Sequence, residues 1–174
     1  MQPAPDRIVV DDDSLSEFQK ILLTTDGTVT QLLEIHTREP MRVQKLEHVV
    51  IAGGPAWLEV SSTEPVLSRR ILLRGATHAW MYAHSWLVLS RLPPGMQEAM
   101  TCSETPIGQL WRAARLETYR EIVDFRRERD PAAAALFGTE VPLLSRSYVI
   151  RTGGAVMGLI EEKFPVTHFA RNSA

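Results

Sequence analysis

Residues 145–164 read Ser145-Arg146-Ser147-Tyr148-Val149-Ile150-Arg151-Thr152-Gly153-Gly154-Ala155-Val156-Met157-Gly158-Leu159-Ile160-Glu161-Glu162-Lys163-Phe164. Two strand-like runs, Ser145 to Thr152 and Ala155 to Phe164, flank a pair of glycines. A two-residue hairpin turn needs positive φ at its centre, which glycine supplies without a steric cost, so the chain folds back antiparallel here. Working outward, Val66 to Arg74 and Thr77 to Leu89 predict a second hairpin reversing near Gly75, and Pro40 to Ile51 alternates as a further strand. In that strand Val43, Val49 and Ile51 fall on one face and Leu46, His48 and Val50 on the other; Ala52-Gly53-Gly54-Pro55 closes it. Strands joined by turns rather than by helical crossovers argue for an antiparallel α+β domain and against a doubly wound parallel sheet.

Helices surround these strands. Asp12 or Asp13 can cap a helix from about Ser14 to Thr24, with Leu15, Phe18, Ile21 and Leu22 as its apolar stripe. Thr28 restarts a short helix through Glu34; Met96 to Cys102 forms another, and Pro106 opens a longer one reaching about Glu128. Asp130-Pro131 and Ala132 to Ala135 read as a surface connection or one more helical turn. A chain of 174 residues, 44% hydrophobic, suits one domain, expected over 14–170 behind a flexible segment at 1–13. With 19 basic and 21 acidic residues spread along it, the chain carries no footprint for nucleic acid or an anionic membrane surface. Residues 1–13 lack the pattern of an export signal, and Ala76 to Leu92 is too interrupted by polar residues to span a bilayer. The single cysteine, Cys102, fits a reducing, cytoplasmic setting.

Three places invite chemistry. Alternation puts Leu67, Arg69, Ile71 and Leu73 on one strand face, where Arg69 is the sole charge; it needs either a protein carboxylate or an anionic ligand. In the last strand Val156, Ile160, Glu162 and Phe164 share a face, so Glu162 either neutralises Arg69 or serves as a partly desolvated proton donor or acceptor; Glu161 points the other way, toward Lys163 or solvent. Thr105-Pro106-Ile107-Gly108 is a capped helix start whose amides, around Ile107 and Gly108, are free either to hold an anion or simply to begin a helix. The five histidines have no metal-ligand spacing, and no phosphate loop, GxGxxG or GxSxG motif occurs. His84 shares a strand face with Trp80, Tyr82 and Trp86, an aromatic stripe that lines a pocket or packs.

Several segments in order resemble the chorismate pyruvate-lyase (4-hydroxybenzoate synthase) family over Leu22 to His168. They are Asp26-Gly27-Thr28-Val29-Thr30, the arginine strand from Ser68 to Arg74, Thr105-Pro106-Ile107-Gly108, Leu116-Glu117-Thr118-Tyr119-Arg120-Glu121, Arg146-Ser147-Tyr148-Val149-Ile150 leading to Gly153-Gly154, and Glu162-Lys163-Phe164-Pro165. The resemblance implies about six antiparallel strands flanked by helices, with an internal ligand cavity closed by helical flaps. It also implies a lyase reaction, needing neither metal nor organic cofactor, that removes pyruvate from chorismate to leave 4-hydroxybenzoate. The family's essential arginine falls on Arg69 and its glutamate on Glu162, the latter as proton donor to the ether oxygen. Backbone contacts fall on Ile107 and on Val29 or Thr28, and His84 stands where some members place a second arginine. Expected partners are a small carboxylated substrate and, at most, copies of the chain in a small homo-oligomer. Two alternatives share the fold: a cyclase or isomerase acting on another carboxylated biosynthetic intermediate, and a non-catalytic effector-binding module of the kind found beside DNA-binding domains in regulators. No helix-turn-helix segment fits ahead of the first helix.

Overall fold

A computed structural model describes residues 13–102 and 107–170. Its centre is a six-stranded antiparallel sheet with strands β1 (Arg42–Ala52), β2 (Pro65–Arg74), β3 (Ala79–Val88), β4 (Tyr119–Glu128), β5 (Leu143–Thr152) and β6 (Ala155–Pro165), in spatial order β1-β2-β3-β6-β5-β4. Two meanders, β1-β2-β3 and β4-β5-β6, are therefore sewn together by the central β3–β6 pair. The β5–β6 hairpin turns through Gly153 and Gly154 with φ of 53° and 83°, as the Gly-Gly pair requires.

The helices are α1 (Glu17–Thr24), α2 (Val29–Thr37), α3 (Met96–Cys102), α4 (Ile107–Ala113) and α5 (Pro131–Leu136). Helix α1 starts later than Asp12 or Asp13 would set it. Its cap is Ser16, whose Oγ accepts from the Gln19 amide at 3.1 Å while the Gln19 side chain accepts from the Ser16 amide at 2.8 Å, a reciprocal capping box. Asp12, the rest of residues 1–12, Thr105 and Pro106 lie outside the described residues.

One expected element is overturned. The long helix from Pro106 to about Glu128 ends at Ala113, Arg115 takes a positive φ of 49°, and Tyr119–Glu128 is an edge strand hydrogen-bonded to β5. The β5 edge would otherwise present unpaired amides, and Tyr119, Ile122, Val123 and Phe125 suit a pleated surface better than a helix. A bulge between Ile122 and Asp124 breaks the alternation that would have marked the strand. A second bulge, between Lys45 and Glu47, changes the β1 faces: Val43, His48 and Val50 lie opposite Leu73, Arg69 and Leu67, so His48 and Val50 share the face of Val43.

Antiparallel register sets residues in rows across the sheet. His48, Arg69, Ser85, Ile160 and Tyr148 make one row; Ile71, Ala83, Glu162 and Arg146 make the next, on the same face. Helices α1 and α2 cover one half of that face, where Leu22, Val29 and Leu33 pack on Ile71, Leu73, Met81 and Phe164. Helices α3 and α4 cover the other half, where Met96, Met100, Ile107 and Trp111 pack on Leu67, Leu87, Tyr148 and Ile160. Each large apolar side chain so buried contributes roughly 1.5–3 kcal/mol, enough to hold both helix pairs down. The polar rows run beneath the seam where the two helical layers meet.

Candidate functional site

The seam holds a narrow cavity of about 50 Å³, space for a few waters. Its floor is Ile71, Leu73, Met81, Ala83, Ser85, Tyr148, Ile160 and Glu162 of the sheet; its roof is Thr28, Val29 and Thr30 from the start of α2 and Ile107, Gly108 and Trp111 from α4, with Arg120 of β4 at one side. Each helix thus enters the cavity by its first turn. Spacing explains the α4 contribution, since positions 107, 108 and 111 fall on one helical face.

Glu162 is the carboxylate of the cavity wall, and its surroundings differ from expectation. Arg146 Nε donates to Oε2 at 2.7 Å and the Tyr148 hydroxyl donates to Oε1 at 2.9 Å. The two side chains of the ion pair are 1% and 6% exposed, so Glu162 is neutralised by Arg146 rather than by Arg69. Nη1 of Arg146 also donates to the Thr25 carbonyl at 2.7 Å, tying the strand to the loop between α1 and α2. The Arg146 guanidinium stacks 5.0 Å from the Tyr148 ring centre and Arg120 stands 5.7 Å from the same ring. Burial first, and then the Glu162 charge, push the Tyr148 hydroxyl's pKa up, which keeps it a hydrogen-bond donor at ordinary pH.

Arg69 lies on the same sheet face in the row next to Glu162, fully buried but not among the residues that line the cavity, and burial pulls its guanidinium down from the usual arginine range. Its β1 neighbour His48 is pulled down by burial and then by the Arg69 and Lys45 charges, so it adds no second charge beside Arg69.

His84 does not belong to the cavity. In β3 the cavity side is taken by Met81, Ala83 and Ser85, and alternation sends His84 to the opposite face, paired across strands with Arg70 and Glu161. There its Nε2 lies 2.9 Å from the Ser68 hydroxyl and its ring 3.6 Å from that of Trp86. Burial, then the Arg70 and Lys163 charges, pull it down to about 4, so it is neutral near pH 7 and cannot stand in for a second arginine. A cation that does border the cavity is Arg120, whose Nη1 donates to the carbonyls of Asp26 and Gly27 at 2.7 and 2.6 Å.

Thr28, Val29, Ile107 and Gly108 all line the cavity, and Gly108 also serves a contact between the two helical layers. A Cβ there would stand 3.2 Å from the Thr28 methyl and 3.7 Å from Arg120 Nη2. Arg112 Nη2 reaches across the same gap to Thr28 Oγ1 at 3.1 Å and Gln31 Oε1 at 3.2 Å, clasping α2 to α4 over the cavity. Glu161, on the far face, meets Arg126 at 2.8 Å and Lys163 at 3.7 Å. Sequence reading missed Arg146, Tyr148, Arg120 and Trp111. For Arg146 the signal was present: in β5 it is the one charge among Leu144, Tyr148 and Ile150, the same pattern that singled out Arg69.

No group of three or more histidine, cysteine or acidic side chains that could hold a metal gathers among the described residues, and no helix among them is long and apolar enough to cross a membrane. Residues 23–171 match the family described as chorismate pyruvate-lyase Rv2949c-like. The chain is 28% identical over 152 residues, 83% of its length and 72% of the relative, to the chorismate pyruvate-lyase of Mycobacterium leprae. Among solved structures it resembles the effector domain of PhnF from Mycobacterium smegmatis (TM-score 0.65, 17% identity, 82% of this chain and 91% of that one). It also resembles a GntR-family transcriptional regulator from Bacillus cereus (TM-score 0.61, 13% identity, 77% and 97%). At such identities these two structures establish the shared fold alone.

Proposed function

This chain belongs to the Rv2949c-like chorismate pyruvate-lyase family, and from that we propose that it is a lyase that removes pyruvate from chorismate and leaves 4-hydroxybenzoate. The observation that carries the reading is Glu162 itself, a carboxylate held by Arg146 and Tyr148 in the wall of a cavity otherwise lined mostly by apolar and hydroxyl side chains, with Arg120 at one side. A proton-handling group needs that kind of positioning.

Chorismate carries two carboxylates. Arg120 and the amide of Ile107, backed by the buried charge of Arg69, take the ring carboxylate; the amides of Thr28 or Val29 meet the ring hydroxyl end. In the reaction the ether C–O bond breaks with its electron pair leaving on enolpyruvate, and the neighbouring carbinol carbon loses its hydrogen as a proton. The ring becomes aromatic, which supplies the driving force. The departing enolpyruvate needs one proton to become pyruvate, so the proton lost by the ring balances the proton gained. Because both Glu162 oxygens already accept hydrogen bonds, we assign Glu162 to take the ring proton first and return it to the leaving group, rather than to begin as the donor.

The test is incubation of the purified chain with chorismate, following pyruvate and 4-hydroxybenzoate together. Equal amounts of both are expected; folded protein that forms neither above the uncatalysed rate sinks the assignment. Tight binding without conversion would instead favour an effector-binding module, which the shared fold of the regulator domains makes the second reading. The cyclase or isomerase alternative rested on His84 replacing a cavity arginine, and it loses that support with His84 on the other face.

A further inference from the structure

Trp111 is 4% exposed and lines the cavity from α4, yet its Nε1–H has no hydrogen-bond acceptor among the described residues. A buried indole N–H ordinarily finds a partner, and leaving it without one sacrifices the hydrogen bond it made to water in the unfolded chain. A phenylalanine would fill much the same space among Met96, Met100 and Ile160 without that cost. The donor therefore calls for an acceptor that arrives with the ligand. The Arg120 guanidinium narrows its chemistry, since Arg120 borders the same cavity and its Nη2 stands 3.7 Å from where a Cβ on Gly108 would be, one helical turn from Trp111. An oxygen placed between an indole N–H and a guanidinium is best met by a carboxylate.

Resting on the lyase reading for the identity of the ligand, we propose that Trp111 Nε1–H is a substrate-positioning donor. It binds one oxygen of the ligand's ring carboxylate, shared with Arg120.

The experiment uses the full chain labelled with ¹⁵N. Its four tryptophans, Trp57, Trp80, Trp86 and Trp111, give four indole N–H resonances, and Trp111→Phe removes one and so assigns it. 4-Hydroxybenzoate is titrated as the carboxylate probe and 4-hydroxybenzyl alcohol as its neutral counterpart. The Trp111 resonance should move downfield with the carboxylate, and Trp111→Phe should bind 4-hydroxybenzoate about tenfold to a hundredfold more weakly, the range for a hydrogen bond to a charged group. The alcohol's affinity should change less than threefold and the melting temperature should hold or rise. An indole resonance unmoved at saturation, or equal carboxylate affinity in Trp111→Phe and the parent, overturns the proposal and leaves the lyase reading standing. Carboxylate binding with a moved resonance but no turnover of chorismate upholds it while removing the lyase reading. Failure of the parent to bind the carboxylate overturns it outright.

Discussion

The ion pair between Glu162 and Arg146 should dominate the energetics of the cavity floor, and a double-mutant cycle can measure it. At 2.7 Å and nearly full burial, an effective dielectric of 20 gives a Coulomb attraction of about 6 kcal/mol, much of it offset by taking both charges out of water. Truncating one partner strands the other, so Arg146→Met should cost about 3–5 kcal/mol and Glu162→Gln somewhat less, because the amide still accepts from Nε. The double variant Arg146→Met with Glu162→Gln should lose less than the sum, giving a coupling of roughly 2 kcal/mol or more. The same cycle with Arg69 discriminates the two arginines. Arg69 and Glu162 are two strands and two residues apart in register, a Cα separation of about 12 Å in an ideal sheet. At that distance the same dielectric gives about 1.4 kcal/mol, so the coupling should fall well below that of Arg146. Urea unfolding of the four proteins in each cycle provides the assay. A coupling for Arg69 as large as that for Arg146 would refute the assignment of Arg146 as the counter-ion of Glu162.

Three further outcomes are expected. Glu162→Gln should retain 4-hydroxybenzoate affinity within a few-fold and lose turnover by at least about 10²-fold, whereas Arg69→Ala should lose both; calorimetry beside steady-state kinetics separates them, and unaltered turnover in either variant contradicts the roles of proton carrier and anion holder. Arg112→Ala cuts the clasp to Thr28 and Gln31, so amide exchange at 28–37 and 107–113 should quicken with little change in global stability, and unchanged exchange there would show that the clasp does not hold the helices closed. His84, neutral in the fold and titrating at about 4 against about 6.5 in an unfolded chain, makes the unfolded state bind the extra proton between those values. Stability should therefore fall by up to about 3 kcal/mol as pH drops from 6.5 to 4, and His84→Gln should flatten that slope in pH-dependent urea titrations; an equal slope in both proteins contradicts it.

What sequence made legible follows how local each signal is. The Gly153-Gly154 turn, the two hairpins and the antiparallel sheet were readable because turn chemistry and period-two alternation act within a few residues. The first cap was readable too, as Ser16-x-x-Gln19, but the acidic run ahead of it drew the helix start toward Asp13. Strand β4 was hidden because its bulge at Val123 removes the alternation and its six charged residues among ten, with a proline-led helix start upstream, mimic a solvated helix. Its strand state is imposed by the β5 edge, a contact no local window contains. The parity of His84 relative to Arg69 depends on the register of β2 with β3, which pairs His84 with Arg70 rather than Arg69. Arg146 differs from these cases, because a lone charge on an apolar strand face is as visible in β5 as it is for Arg69 in β2; only the pairing of β5 with β6 decides which of the two arginines meets Glu162.

The position of Glu162 also bears on whether the cavity converts its ligand or only holds it. A pocket evolved solely to bind a dianion gains nothing from a carboxylate in its wall, because like charges at close range in a low-dielectric space raise the cost of binding. That cost is contained here by Arg146, which makes the Glu162 pair neutral overall, and by Tyr148, which occupies the second oxygen. Two buried side chains and a bond to the Thr25 carbonyl are thus committed to holding one acidic group on the floor of a cavity otherwise lined mostly by apolar and hydroxyl side chains. For binding alone, an apolar residue at position 162 and another at 146 would cost no more, since buried ion pairs seldom outdo good packing. The arrangement is favourable when the carboxylate must exchange a proton with the ligand in a site closed to water, where an oriented base replaces one that solvent can no longer supply. The buried pair is accordingly consistent with the proposed turnover, and the chorismate assay with Glu162→Gln as its control distinguishes turnover from storage directly.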